Sequence, residues 1–235
     1  SGLLTEVAST RMGTPVYTEP GELSGGGRKG LIDYKPQVNF PNPWPGGMWR
    51  LRDIMDYERI ASDALMEACA GHREDILKGT LMMATDAIKS GSPDEYYSIS
   101  LAQRDPVTAA RLAHLISENG AEVSFSSNTM RFVIPTAQPY AKLLQELLGV
   151  QRYPEVRPST GPNIIPPYDI TSWSLPVMMD VDVEKVTLTA DEKKSIRPLA
   201  DSDWPDGSVQ NPDAAMFVIS HDANNVTLLL NDLIK

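Results

Sequence analysis

A carboxylate set inside an apolar run is the first residue that could do chemistry: Glu6 interrupts Gly2-Leu3-Leu4-Thr5-Glu6-Val7-Ala8, which otherwise reads as a buried strand. In strand alternation Leu4, Glu6 and Ala8 share one face, while Leu3, Thr5 and Val7 share the other. Burying a carboxylate unpaired is costly, so Glu6 is expected to pair with a cation or to serve as a general base with a raised pKa. Position alone favours the ion pair, because many perturbed carboxylates are structural. The histidines His72, His114 and His221 offer less. His114 falls on a helix beside charged residues and His72 near a helix end, so both read as surface or capping residues. Ser220-His221-Asp222 holds the residue types of a triad, but triad members normally meet through the fold, and adjacent residues here read as a polar turn before a helix. Cys69 lies on the apolar side of a helix without a basic cluster to depress its pKa, and reads as a small core residue. Gly25-Gly26-Gly27-Arg28-Lys29-Gly30 lacks the preceding strand and following helix of a phosphate loop, and reads as a turn.

The elements that position these residues follow from periodicity. Residues 9 to 50 are rich in turn formers and carry Tyr34, Phe40, Trp44 and Trp49, which predicts a long excursion pinned by aromatic anchors. Ile54, Tyr57, Ile60, Ala61, Ala64, Leu65 and Ala68 recur at helical spacing and predict a helix over 51–70. A second helix is expected over 73–89 with Ile76, Leu77, Leu81, Ala84 and Ile88 inward, stopping at Ser90-Gly91-Ser92-Pro93. Strands are predicted at 96–101, 122–125 and 131–134. Asp105 caps a helix that starts at Pro106 and ends at Gly120, and a further helix runs from Pro139 to Gly149. This order implies an α/β layer, with a right-handed first crossover if its strands are parallel neighbours. Residues 151 to 212 are proline-rich, with one candidate strand between Val177 and Leu188. Ala214-Ala215-Met216-Phe217-Val218-Ile219 reads as a strand and 224–234 as a helix. Aligning Leu101 with Ile219 also matches Leu112 to Leu230, Leu115 to Leu233 and Ile116 to Ile234, an echo that supports α/β architecture and nothing finer.

At 235 residues with 41% hydrophobic content the chain can build a real core. A formal charge of −10 without a clustered Lys/Arg surface argues against a general nucleic-acid binder. No apolar run approaches the roughly 20 residues that cross a bilayer, so no membrane span is expected and the chain reads as soluble. One cysteine excludes an internal disulfide but leaves the compartment open, a secreted or periplasmic protein included. The apolar runs at both ends lack partner strands in the sequence, which makes the chain read as an internal piece of a larger protein.

Three ordered runs carry a resemblance: Gly2 to Ser9, then Tyr34-Lys35-Pro36-Gln37-Val38-Asn39-Phe40-Pro41-Asn42-Pro43-Trp44-Pro45-Gly46-Gly47, then Trp49-Arg50-Leu51-Arg52-Asp53-Ile54. Together they resemble the carboxyl end of the catalytic domain in long bacterial members of the zinc carboxypeptidase family. Pro135-Thr136-Ala137-Gln138-Pro139-Tyr140, Gln151-Arg152-Tyr153-Pro154 and the run from Pro167 to Pro176 resemble the segment that follows that domain. The resemblance implies that Glu6 matches the glutamate acting as general base on a zinc-bound water, where the metal lowers the water's pKa and the carboxylate accepts its proton. It also implies a peptide or protein C-terminus as substrate. The family's zinc ligands are a His-x-x-Glu pair and a later His, all upstream of this glutamate, and no histidine here begins His-x-x-Glu. Zinc is therefore expected in the intact parent, held by the remainder of the parent chain, and no metal ligand is assigned within these residues.

The sequence thus points to an α/β molecule in two parts. Residues 1–92 are expected to close a carboxypeptidase-like mixed-sheet domain, and residues 93–235 to begin an accessory α/β domain similar to class I glutamine-amidotransferase-like regions. That second part shows no nucleophile-elbow cysteine, which implies a non-catalytic relative. The alternative is a non-catalytic α/β binding or interaction module in which Glu6 is only a structural ion-pair partner.

Overall fold

The computed structural model describes residues 4–7, 13–24, 33–38, 40–152, 154–157, 164–165 and 172–235. The chain is mixed α/β and divides into two compact units, residues 1–77 and 78–235. The division falls after Leu77, whereas the sequence places it at the Ser90–Asp94 linker.

In the first unit, β1 (Val16–Thr18) pairs antiparallel with β2 (Gly47–Trp49), Val16 opposite Trp49 and Thr18 opposite Gly47. Gly46 has φ +91°, and a Cβ there would lie 2.9 Å from the Thr18 carbonyl oxygen, so glycine is needed where the chain enters β2. Helix α1 (Leu51–Gly71) starts as Asp53 accepts from the Arg50 backbone N–H at 2.7 Å, and its C-cap is His72. Helix α2 (Arg73–Ser90) follows at once and runs through the division between the units. Both helices match the sequence reading, but the expected inward stripe is not covered by the described residues. Ile60, Leu77 and Leu81 are each more than 60% exposed, and α1 buries no residue. The strand expected around Glu6 is a correction too: Leu4–Val7 have no regular structure, and Leu4 is 82% exposed. A strand persists only with a partner, and among the described residues none pairs with this run.

The second unit holds the core. Five strands form one sheet in the order β6-β3-β5-β4-β7, antiparallel at every step: β3 (Glu95–Ser100), β4 (Ser124–Ser126), β5 (Arg131–Pro135), β6 (Glu184–Thr187) and β7 (Ile196–Pro198). Because β5 is antiparallel to both β3 and β4, those two run parallel with β5 between them, so the expected crossover does not join neighbours. Phe132, Val133 and Ile134 of β5 are fully buried, as a central strand covered on both faces requires. One sheet face presents Tyr97, Ile99, Phe125, Phe132 and Ile134 to Leu112 and Ile116 of α3 (Pro106–Glu118) and Leu144 of α4 (Ala141–Leu148). The β6-to-β7 connection passes from one edge of the sheet to the other through α6 (Ala190–Ser195), and Arg131 of central β5 holds Glu192 of α6 at 2.5 Å.

The candidate strand between Val177 and Leu188 is present as β6 in the second half of that range, while Val177–Met179 belong to α5 (Leu175–Met179), where Pro176 favours the first helical turn over a ladder. Residues 214–219 form no strand, and Val218 is 96% exposed; the helix expected after them is present as α7 (Val226–Ile234). No helix among the described residues is long and apolar enough to cross a membrane.

Candidate functional site

Glu6 is exposed in an irregular segment, not buried in a strand. Its neighbour Thr5 donates its hydroxyl to Glu58 of α1 at 2.6 Å, which ties the segment to that helix. The aromatic excursion takes the form the sequence predicts. Tyr34 donates its hydroxyl to the Trp44 carbonyl at 2.8 Å and meets Phe40 edge-on at 5.3 Å. Trp44 packs edge-on against Trp49 at 5.6 Å, and Trp49 lies 5.6 Å from Tyr57 of α1. Besides the Gln37–Phe40 backbone bridge and the pairing of β2, the proline-rich run is held here by ring packing that reaches one helix face. Gly25–Gly30 lie outside the described residues, as do Gly2, Leu3, Ala8 and the stretch Pro167–Ile170.

The motif residues of the second unit do structural work. Gln138 is 1% exposed; it accepts from the Glu122 backbone N–H at 2.8 Å and donates to the Pro135 carbonyl at 2.8 Å, fixing the entry to α4. The Thr136 hydroxyl lies 3.0 Å from the Glu95 carbonyl and accepts from the Ser92 backbone N–H at 3.1 Å. The segment expected as a linker is therefore docked on β5's end. Ser174, 3% exposed, donates to the Gly149 carbonyl at 2.7 Å and joins the start of α5 to the end of α4.

Two buried carboxylates organise the outer side of α3. Asp105, its N-cap, accepts from the Thr108 backbone N–H at 2.9 Å, the Thr108 hydroxyl at 2.6 Å and the Asn224 backbone N–H at 2.7 Å. Burial pushes this carboxyl up, but the hydrogen bonds from Thr108 and Asn224 outweigh it and leave it below the ordinary carboxylate value. Asp203 takes a two-pronged pair from Arg197 at 2.5 and 2.6 Å, which holds its carboxyl below the ordinary range. The Arg197 guanidinium also lies 5.4 Å over the Phe125 ring.

His114 is half-buried rather than a surface residue. Its ring stacks on Trp204 at 4.4 Å and 2°, and its Nε2 lies 3.2 Å from the Asp203 carbonyl, which sets Nε2 as the protonated nitrogen. The sequence reading missed this group, because Trp204 sits in a proline-rich stretch with no periodicity to aim it. Cys69 is exposed, which corrects its expected place in a core: α1 has none to offer. His72 is exposed beside Asp75, its Nδ1 at 3.8 Å. In Ser220-His221-Asp222 the serine donates to the aspartate at 2.6 Å and the histidine is exposed, so the run is a polar turn before α7. Among the described residues no three His, Cys, Asp or Glu side chains converge as a metal site would require. Compared with known proteins, the chain matches no family model, no curated protein and no solved structure.

Proposed function

We propose that the chain is part of a zinc carboxypeptidase-like protein that hydrolyses C-terminal peptide bonds, with Glu6 as the general base and residues 93–235 as the start of a non-catalytic accessory α/β domain. The observation that carries this reading is the order and spacing of the motif runs at Gly2–Ser9, Tyr34–Gly47 and Trp49–Ile54. The exposed position of Glu6 is compatible with it, since a general base must reach the proton it takes. The described residues of this chain do not fit a zinc site, so the reading assigns the ligands to a longer protein of which this chain is a part. What the chain supplies is a carboxylate tethered to α1 through Thr5 and Glu58, able to accept a proton and return it to a leaving amine.

The test is Glu6→Gln in the intact protein. Zinc content and substrate binding should persist while turnover of a peptide with a free C-terminus falls roughly 10²–10⁴-fold, the contribution of a positioned base. Full turnover in the variant would remove Glu6 from the mechanism. Stoichiometric zinc with hydrolysis by residues 1–235 alone would show that the site is elsewhere. A second reading, a non-catalytic interaction module, is favoured by the apolar side chains that α1 leaves exposed, Met55, Ile60 and Met66 among them. An intact protein without metal or peptidase activity would select it.

A further inference from the structure

Helix α3 is two-sided. Leu112, Ala113 and Ile116 enter the core with at most 1% exposure, while Arg111, His114, Leu115 and Glu118 recur at i, i+3, i+4 and i+7 and line a cleft of about 450 Å³. Trp204 and Asn225 also line it. The Trp204 ring is fixed on both counts: its face rests on His114, and its Nε1–H donates to the Asp201 carbonyl at 3.0 Å. His114 is anchored in turn on Asp203, and Asp203 on Arg197. The cleft therefore has a rigid aromatic wall at its middle.

Arg111 and Glu118 line it two turns of α3 apart, and Val107 and Thr108 extend it about one turn beyond Arg111. Seven residues of helix separate them by about 10.5 Å along the axis, too far for a pair. Neither has a charged partner among the described residues, whereas Arg104, Arg131, Lys185 and Arg197 of the same unit each hold a carboxylate within 3.2 Å. A single exposed charge has no meaning of this kind. Opposite charges set two turns apart along one cleft, with an aromatic wall between them, describe a complementary ligand.

We propose that this cleft binds a dipolar ligand whose carboxylate meets Arg111, whose ammonium meets Glu118 and whose apolar middle lies against Trp204. The guanidinium fork suits a carboxylate. An extended chain spans about 3.3–3.6 Å per residue, so a tripeptide with free termini is the simplest ligand of this form. The proposal rests on residues 78–235 and is independent of Glu6.

The test is titration of the full chain with Ala-Phe-Ala, followed by calorimetry and tryptophan fluorescence, against forms acetylated at the N-terminus or amidated at the C-terminus. The expected dissociation constant is on the order of 1 mM, given an open site with two charged contacts. Each cap should weaken binding about three- to tenfold, and more weakly at high salt. Arg111→Gln should become insensitive to the C-terminal amide and Glu118→Gln to the N-terminal acetyl group, while Trp204→Phe should abolish the fluorescence change. Equal binding of free and doubly capped peptide by the wild type, or no binding up to about 10 mM, overturns the proposal. So does retention of both cap sensitivities in the two charge variants.

Discussion

Asp105 shows how much one residue decides. It caps α3 and, through the same carboxylate, holds the backbone of Asn224 ahead of α7. Truncation to Ala removes the cap and leaves the Asn224 N–H without its acceptor. Asp105→Ala is expected to destabilise residues 78–235 by about 1–3 kcal/mol, read as a lowered midpoint in urea unfolding. The effect has a pH signature. The folded carboxyl lies below its ordinary value, so its contribution is fully present above an unfolded-state pKa near ~3.9 and is lost as pH falls through the lower folded value. The stability difference between wild type and Asp105→Ala should therefore be constant from pH 5 to 7 and shrink below about pH 4. A difference that grows on acidification would contradict the assigned hydrogen bonds.

At the scale of elements, the turn after α2 behaves against its composition. Ser90-Gly91-Ser92-Pro93 has the residues of a linker, yet Ser92 bonds Thr136 and Lys193 of α6 pairs with Asp94. A Cβ on Gly91 would lie 2.2 Å from the Thr136 carbonyl oxygen, a backbone atom that cannot swing aside. Gly91→Ala is expected to cost about 1–3 kcal/mol or more by forcing α2's end off the sheet. In the wild type, thermolysin should cut within 214–220 before it cuts 90–94. Those two segments differ in what their backbones hold: the backbones of Met216–Ile219 make no hydrogen bond among the described residues. First cleavage at 90–94 would show that the docking does not persist in solution.

For the whole molecule, burial is unevenly shared. Every buried hydrophobic side chain among the described residues, from Ala87 to Val226, belongs to the 78–235 unit. Hydrophobic burial is the main favourable term in folding, so the two units should differ in autonomy. A fragment of residues 73–235, which keeps α2 whole, is expected to unfold cooperatively with a midpoint close to that of the full chain. Residues 1–77 alone should show no cooperative transition. Comparable cooperative transitions in both fragments, followed by circular dichroism, would refute this allocation.

Much of the local structure is legible in the sequence because it depends on neighbours a few residues apart. The three- and four-residue apolar spacing marks α1, α2 and α3, Asp105-Pro106 marks where α3 begins, and the aromatic residues of 34–49 announce a pinned excursion. The motif runs that carry the carboxypeptidase resemblance, and Glu6 within them, are likewise a property of the sequence alone. What periodicity could not decide is who covers whom. Leu4–Val7 and Met216–Ile219 have the composition of strands but no described partner, while the short Ile196–Pro198 is a strand because β4 pairs with it. The antiparallel order β6-β3-β5-β4-β7, the docking of Gly91 on Thr136 and the stacking of His114 on Trp204 join residues dozens of positions apart. Such contacts depend on the whole chain's closure rather than on any local preference, and only the tertiary structure decided them.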